Sequence, residues 1–236
     1  MIPLRDENPA RTTPYIVYAL LAVNIIAFLY NGPLHQHGNP LAGYALVPAE
    51  LMGGKDYGPP TPVAPWVTIF TAMFLHANIL HIAGNMLYLW IFGNNIEDAL
   101  GHIKFLIFYL VCGVGAALAQ VFVSPASQIP MVGASGAIAG VLAAYLVLFP
   151  RARIISLVFI YIIVLPASVV LGFWIVLQVL SSLITVASGG ANQGGVAYAA
   201  HIGGFATGLI LILLLGGRNL LGNQPIIGYR RNPNRW

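Results

Sequence analysis

Among the few polar side chains inside otherwise apolar runs of this 236-residue chain, four matter for chemistry: His81 and Asn85 in HIAGN, Ser135 in GASGAIAG, and His201 in HIGGFATG. Strongly polar groups are costly in such surroundings, so each is a functional candidate by default. A serine is a weak nucleophile alone and needs a base within hydrogen-bond reach, a task that suits histidine. Attack on a carbonyl also needs donors aimed at the oxygen that gains charge. Asn85 follows His81 by four residues, which puts both on one helical face. A helix beginning at Ser135 would add its own unpaired first-turn N–H groups. Together these residues predict acyl-transfer chemistry, with Ser135 as nucleophile, His201 as base, and His81 and Asn85 as side-chain donors added to the first-turn amides of that helix. The competing reading of Ser135 is packing, because serine in a Gly/Ala-rich run lets helices approach closely.

Small residues recur at four-residue spacing beside both partners: Gly136 and Gly140 after Ser135, Gly204 and Gly208 after His201. That pattern predicts two helices close enough for serine to reach histidine. The carboxylates fall elsewhere: Asp6, Glu7, Glu97 and Asp98 lie at the far ends of apolar runs, and Glu50 and Asp56 lie in a long loop. The expected machinery is therefore a Ser-His dyad without a carboxylate. Other chemistries lack parts. His76 and His81 are five apart with no Glu between them, unlike a zinc-protease H-E-x-x-H, and no pair of intramembrane Asp or phosphate-cradling Gly loop with Lys occurs. Neither a metal nor a cofactor is expected. His35, His37, His76 and His102 are read as surface, interface or packing residues.

The elements that must carry these groups follow from composition. With 58% hydrophobic and 7% charged residues, the chain is far from the soluble average of about a quarter charged and reads as an integral membrane protein. Apolar runs near 15–30, 78–96, 103–123, 135–149, 166–187 and 197–215 predict an all-α, polytopic, six-helix bundle. Arg5, Arg11, Lys104, Arg151, Arg153, Arg218, Arg230, Arg231 and Arg235 gather on one face and Lys55 falls on the other, so both termini are expected in the cytoplasm. The divisions are a cytoplasmic segment 1–14, a six-span unit 15–217 containing an outer loop 31–65, and a cytoplasmic tail 218–236. His81, Asn85, Ser135 and His201 then share one depth below the outer surface, and the polar run 188–195 is a candidate water entry.

The net charge of +4 is scattered at span edges rather than gathered into a patch, so nucleic acid is not an expected partner. Cys112 sits in an apolar run and offers no disulfide framework. Residues 154–165, IISLVFIYIIVL, would reach only about 18 Å as a helix and are read as an interfacial or re-entrant piece ending at Pro166. Within the outer loop, LAGYALVPAELM is apolar enough to dip into the outer leaflet, with Trp66 as an interfacial anchor.

At these residues the chain resembles the rhomboid intramembrane serine proteases. FLHANILHIAGNMLYLWIFGNNIEDALG (74–101), GASGAIAG (133–140) and AHIGGFATG (200–208) match the three blocks of that family in order. The resemblance implies a six-span core that cleaves transmembrane segments of other proteins within the lipid bilayer, with Ser135 as nucleophile, His201 as base, and His81, Asn85 and the Ser135 amide as oxyanion hole. It also implies a leaflet-embedded outer loop and a fifth span acting as lateral gate. A prokaryotic plasma membrane is expected from the compact core. Two departures stand out: Val67-Thr68 replaces a Trp-Arg pair, and Ala139 replaces an aromatic that stacks on the histidine in some members. The alternative within the family is an inactive binder or chaperone of transmembrane segments, and outside it a transporter using His81 and His201 as a proton relay. The first expects loss of Ser or His and the second expects internal repeats; neither feature occurs. Oligomeric state leaves no sequence signal.

Overall fold

The computed structural model describes residues 1–31, 41–53, 57, 59–188 and 196–222. His35, His37, Lys55, Asp56, most of the 188–195 run and the arginines beyond 222 lie outside the described residues. Strand β1 (Ile2–Asp6) leads into helix α1 (Tyr15–Asn31). Two short helices follow, α2 (Pro48–Gly53) and α3 (Thr68–Thr71), and then α4 (Ile79–Leu100), α5 (His102–Val123) and α6 (Ser135–Leu148). Strands β2 (Arg153–Val158) and β3 (Tyr161–Pro166) precede α7 (Ala167–Ala187) and α8 (Tyr198–Leu214).

Each of the six predicted apolar runs is a helix, in a polytopic membrane fold. α5 and α7 are long and apolar enough to cross a bilayer, and the segment Pro65–Phe74 meets α4 at a bend of 79°. α1, α6 and α8 are apolar but shorter. Sequence sets the ends. Asn78 caps α4 by accepting a hydrogen bond from the His81 amide (2.9 Å), and Gly101 stops it with φ +79, a conformation costly for side chains that carry a Cβ. α6 is apolar on every side and accordingly central: every residue from Gly136 to Tyr145 is buried. α7 is the opposite case, with Ala167, Val170 and Leu171 its only buried residues. Phe122, Leu183 and Leu214 face outward, as suits helices surrounded by lipid rather than water.

The segment read as an interfacial or re-entrant piece is not helical. Residues 154–165 form most of a β-hairpin, in which β2 pairs antiparallel with β3, and β2 pairs on its other side with β1. The run is dense in β-branched Ile and Val, which fit a pleated strand. Its backbone groups find partners in the first residues of the chain. The N-terminal segment is thus built into the fold: Tyr145 donates to Asp6 (2.8 Å), and Glu7 pairs with Arg153 (3.1 Å). The run 41–52 also packs on protein, with Leu46 buried against Ala72, Ala117 and Val121 and bridged to Met131. Trp66 is exposed.

Candidate active site

The α6–α8 contact decides what Ser135 can reach. A Cβ on Gly204 would overlap the Gly136 carbonyl, and one on Gly208 would overlap the Gly140 backbone. Gly136 and Gly140 in turn face α5, where a Cβ would meet Ala116 and Cys112. All four glycines singled out by spacing therefore lie at close backbone approaches. Across the seam, Ser135 Oγ and His201 Nε2 stand 2.8 Å apart.

α4 approaches the serine from another side. The Ala77 amide donates to His81 Nδ1 (3.4 Å), which leaves the proton on Nε2 as a free donor. Asn85 Nδ2 is buried and has no hydrogen-bond partner among the described residues. Both point to Gly133. Its φ of +122 suits glycine, and a Cβ there would lie 2.6 Å from His81 Nε2 and 3.5 Å from Asn85 Nδ2. A space that only a hydrogen atom can border is thus flanked by two donors, two residues before Ser135. The sequence reading gives Gly133 no role; its signal is being the first glycine of GASG. His76, expected to be a surface, interface or packing residue, is buried edge-on to His81 with ring centroids 5.1 Å apart, and so holds that ring.

Two further residues of the site escape sequence reasoning, and both come from α7. Gln178 Oε1 lies 2.7 Å from His201 Nδ1, and Trp174 packs against the imidazole at a centroid distance of 5.7 Å and an angle of 35°. Their four-residue spacing in an apolar run is the available signal, since a Gln inside a span is as unusual as a His. Ala139 is buried in α6, and the aromatic against His201 is Trp174 of α7.

The described carboxylates are engaged away from Ser135 and His201. Glu97 accepts from the amides of Ile16 (2.9 Å) and Val17 (2.8 Å) and contacts His102, while Asp98 pairs with Arg11 (3.2 Å). Glu50 accepts from the Tyr57 amide and the Thr61 hydroxyl. A cavity of about 850 Å³ is lined by Ser135, His201, His81, Asn85 and Trp174, and extends to Gln120.

A family model described as Rhomboid domain matches residues 64–218. The chain belongs to the rhomboid family. Among curated relatives, Rhomboid protein 1, mitochondrial, of Saccharomyces cerevisiae is 32% identical over 201 residues, covering 83% of this chain and 51% of that protein. Rhomboid-like protein 11, chloroplastic, of Arabidopsis thaliana is 31% identical over 156 residues, covering 64% of this chain and 52% of its own length. Rhomboid protease GluP of Bacillus subtilis is 33% identical over 133 residues, covering 56% of this chain and 24% of its own. The chain therefore spans about half the length of the first two relatives and about a quarter of the third. Rhomboid relatives carry mitochondrial and chloroplastic names as well as a bacterial source, so the likeness supports a membrane protein without favouring the prokaryotic plasma membrane.

Proposed function

We propose that this rhomboid is an intramembrane serine endopeptidase that cleaves transmembrane segments of other membrane proteins. The observation that carries the reading is the 2.8 Å contact between Ser135 Oγ and His201 Nε2, held by a seam of helix backbones in direct contact. Ser135 Oγ attacks the scissile carbonyl carbon while His201 Nε2 takes its proton. The carbonyl oxygen, now an anion, is held by His81 Nε2–H, Asn85 Nδ2–H and the Ser135 amide. Collapse of this intermediate breaks the C–N bond, and His201 passes its proton to the leaving amine. Water, deprotonated by the same histidine, then hydrolyses the acyl-enzyme and frees Ser135. The buried, unpartnered Asn85 amide supports the oxyanion assignment, since such a donor is costly unless a ligand uses it.

α6 is 14 residues long, about 21 Å at 1.5 Å per residue, against a hydrocarbon core of about 30 Å. A helix that short lets its first residue begin inside the core, which suits a serine acting on a substrate helix within the bilayer. The proposed unit is 15–217 with β1 attached, both termini on the cytoplasmic face with the arginines, and the cavity opening to the other side. The test is cleavage of a single-span reporter by purified wild type, Ser135→Ala and His201→Ala in liposomes, with fluorophosphonate labelling in parallel. The expected result is cutting and labelling by wild type and neither by the variants. A folded wild type that does neither with several reporters makes the chain a binder of transmembrane segments.

A further inference from the structure

A histidine base needs its proton on the right nitrogen. For Nε2 to accept from Ser135, Nδ1 must carry the hydrogen, and something must accept from it. Neither α6, which carries the serine, nor α8, which carries the histidine, provides that acceptor. Gln178 on α7 does, with Oε1 2.7 Å from Nδ1. One turn earlier on the same helix, Trp174 lies against the imidazole at 35°, a contact that restricts rotation of the ring. The two contacts are complementary. A hydrogen bond fixes the tautomer and the in-plane direction of the ring, and a flanking indole limits its tilt.

We infer that Gln178 is a positioning residue for the reaction, fixing the tautomer of His201 from α7, and that Trp174 holds the ring against it. This rests on the proposed Ser135–His201 chemistry. A neutral amide can fill the place of the third residue in a triad, as the Asn of Cys-His-Asn proteases does, provided its oxygen faces the ring. Reversed, the amide would donate to Nδ1 and leave the hydrogen on Nε2, where it blocks proton uptake from serine. The arrangement has a structural consequence. The clamp belongs to a helix with only three buried residues, and those lie in its first turns, before Trp174 and Gln178. The base is therefore complete only while the second half of α7 lies against α8.

The experiment uses the full chain in detergent micelles with a single-span reporter, together with ¹⁵N NMR of the imidazole nitrogens assigned through His201→Ala. Gln178→Met keeps the length of the side chain and removes the acceptor oxygen. It is expected to lower kcat on the order of 10–10² with KM little changed, less than the roughly 10⁴ lost when a triad loses its orienting carboxylate. It should also replace the single Nδ1–H signature of His201 by a tautomer mixture. Gln178→Glu, which restores an acceptor at the same reach, is expected to recover the Nδ1–H signature and most of kcat. Trp174→Phe should retain activity that Trp174→Leu loses. If Gln178→Met matches wild type in kcat and tautomer, or if Gln178→Glu fails to recover the signature, the inference is overturned. The reading it rests on fails differently: a wild type that neither cuts nor labels removes the protease, while the NMR still reports whether Gln178 holds His201.

Discussion

His81 Nε2 and Asn85 Nδ2 both border Gly133, and neither depends on a substrate to be placed there. Donors fixed before the reaction cost no reorganisation when charge develops. His81→Ala is accordingly expected to lower kcat by about 10²-fold, the scale of losing one oxyanion donor, with little change in thermal midpoint. Gly133→Ala should be as damaging for a different reason: its Cβ would push into the His81 ring, and its φ of +122 is strained for alanine. Fluorophosphonate labelling rates of the two variants measure both effects, and a Gly133→Ala protein that labels at the wild-type rate would show the space to be slack. At this scale the sequence is most informative. The four polar residues are legible because polar groups are rare in apolar runs. Gln178 is not, because its part in the site lies in its 2.7 Å distance to His201 across two helices, which no single run of sequence contains.

The elements follow from hydropathy nearly to the residue, since lipid demands helices whose backbone groups are internally paired. The hairpin of β2 and β3 escapes, because its partner strand lies about 150 positions away in sequence and strand pairing is a non-local property. The seam between α6 and α8 yields the sharpest prediction. Gly204→Val and Gly208→Val place side-chain atoms on the α6 backbone and are expected to destabilise by at least about 1–3 kcal/mol, with loss of labelling at Ser135. Gly172 in α7 meets nothing within 4 Å, and Gly172→Ala should be neutral or stabilising by up to about 1 kcal/mol. Thermal unfolding in detergent separates the two classes; equal losses at all three positions would rule out a close-packed seam.

At the scale of the whole molecule, four of the described carboxylates lie at the helix ends opposite the serine. Asp6, Glu7, Glu97 and Asp98 are engaged with Tyr145, Arg153, the first turn of α1 and Arg11, away from the start of α6 where the serine lies. Burial pushes the Asp6 carboxyl up from 3.8 to about 6, against the opposing pull of the Tyr145 hydrogen bond. The folded state thus binds more proton than the unfolded one between those values, so its contribution to stability is present at low pH and lost as pH rises through about 6. Asp6→Asn keeps an acceptor for Tyr145 and removes the titration. Its thermal midpoint is expected to gain on wild type from about pH 4 to about pH 7, and parallel curves would contradict the assignment.

Sequence alone determined that the chain is a polytopic helical membrane protein and where its helices run, and it singled out one serine, two histidines and one asparagine as candidates. These are properties of solvent and periodicity, and each is written locally. The tertiary structure decided that Ser135 and His201 stand within hydrogen-bond distance, that residues 2–6 complete a sheet with 153–166, and that α7 supplies the acceptor and the aromatic for the histidine. Those facts depend on which helix faces which, and at what rotation. Backbone approach at a few glycines sets that geometry, and no single segment contains it.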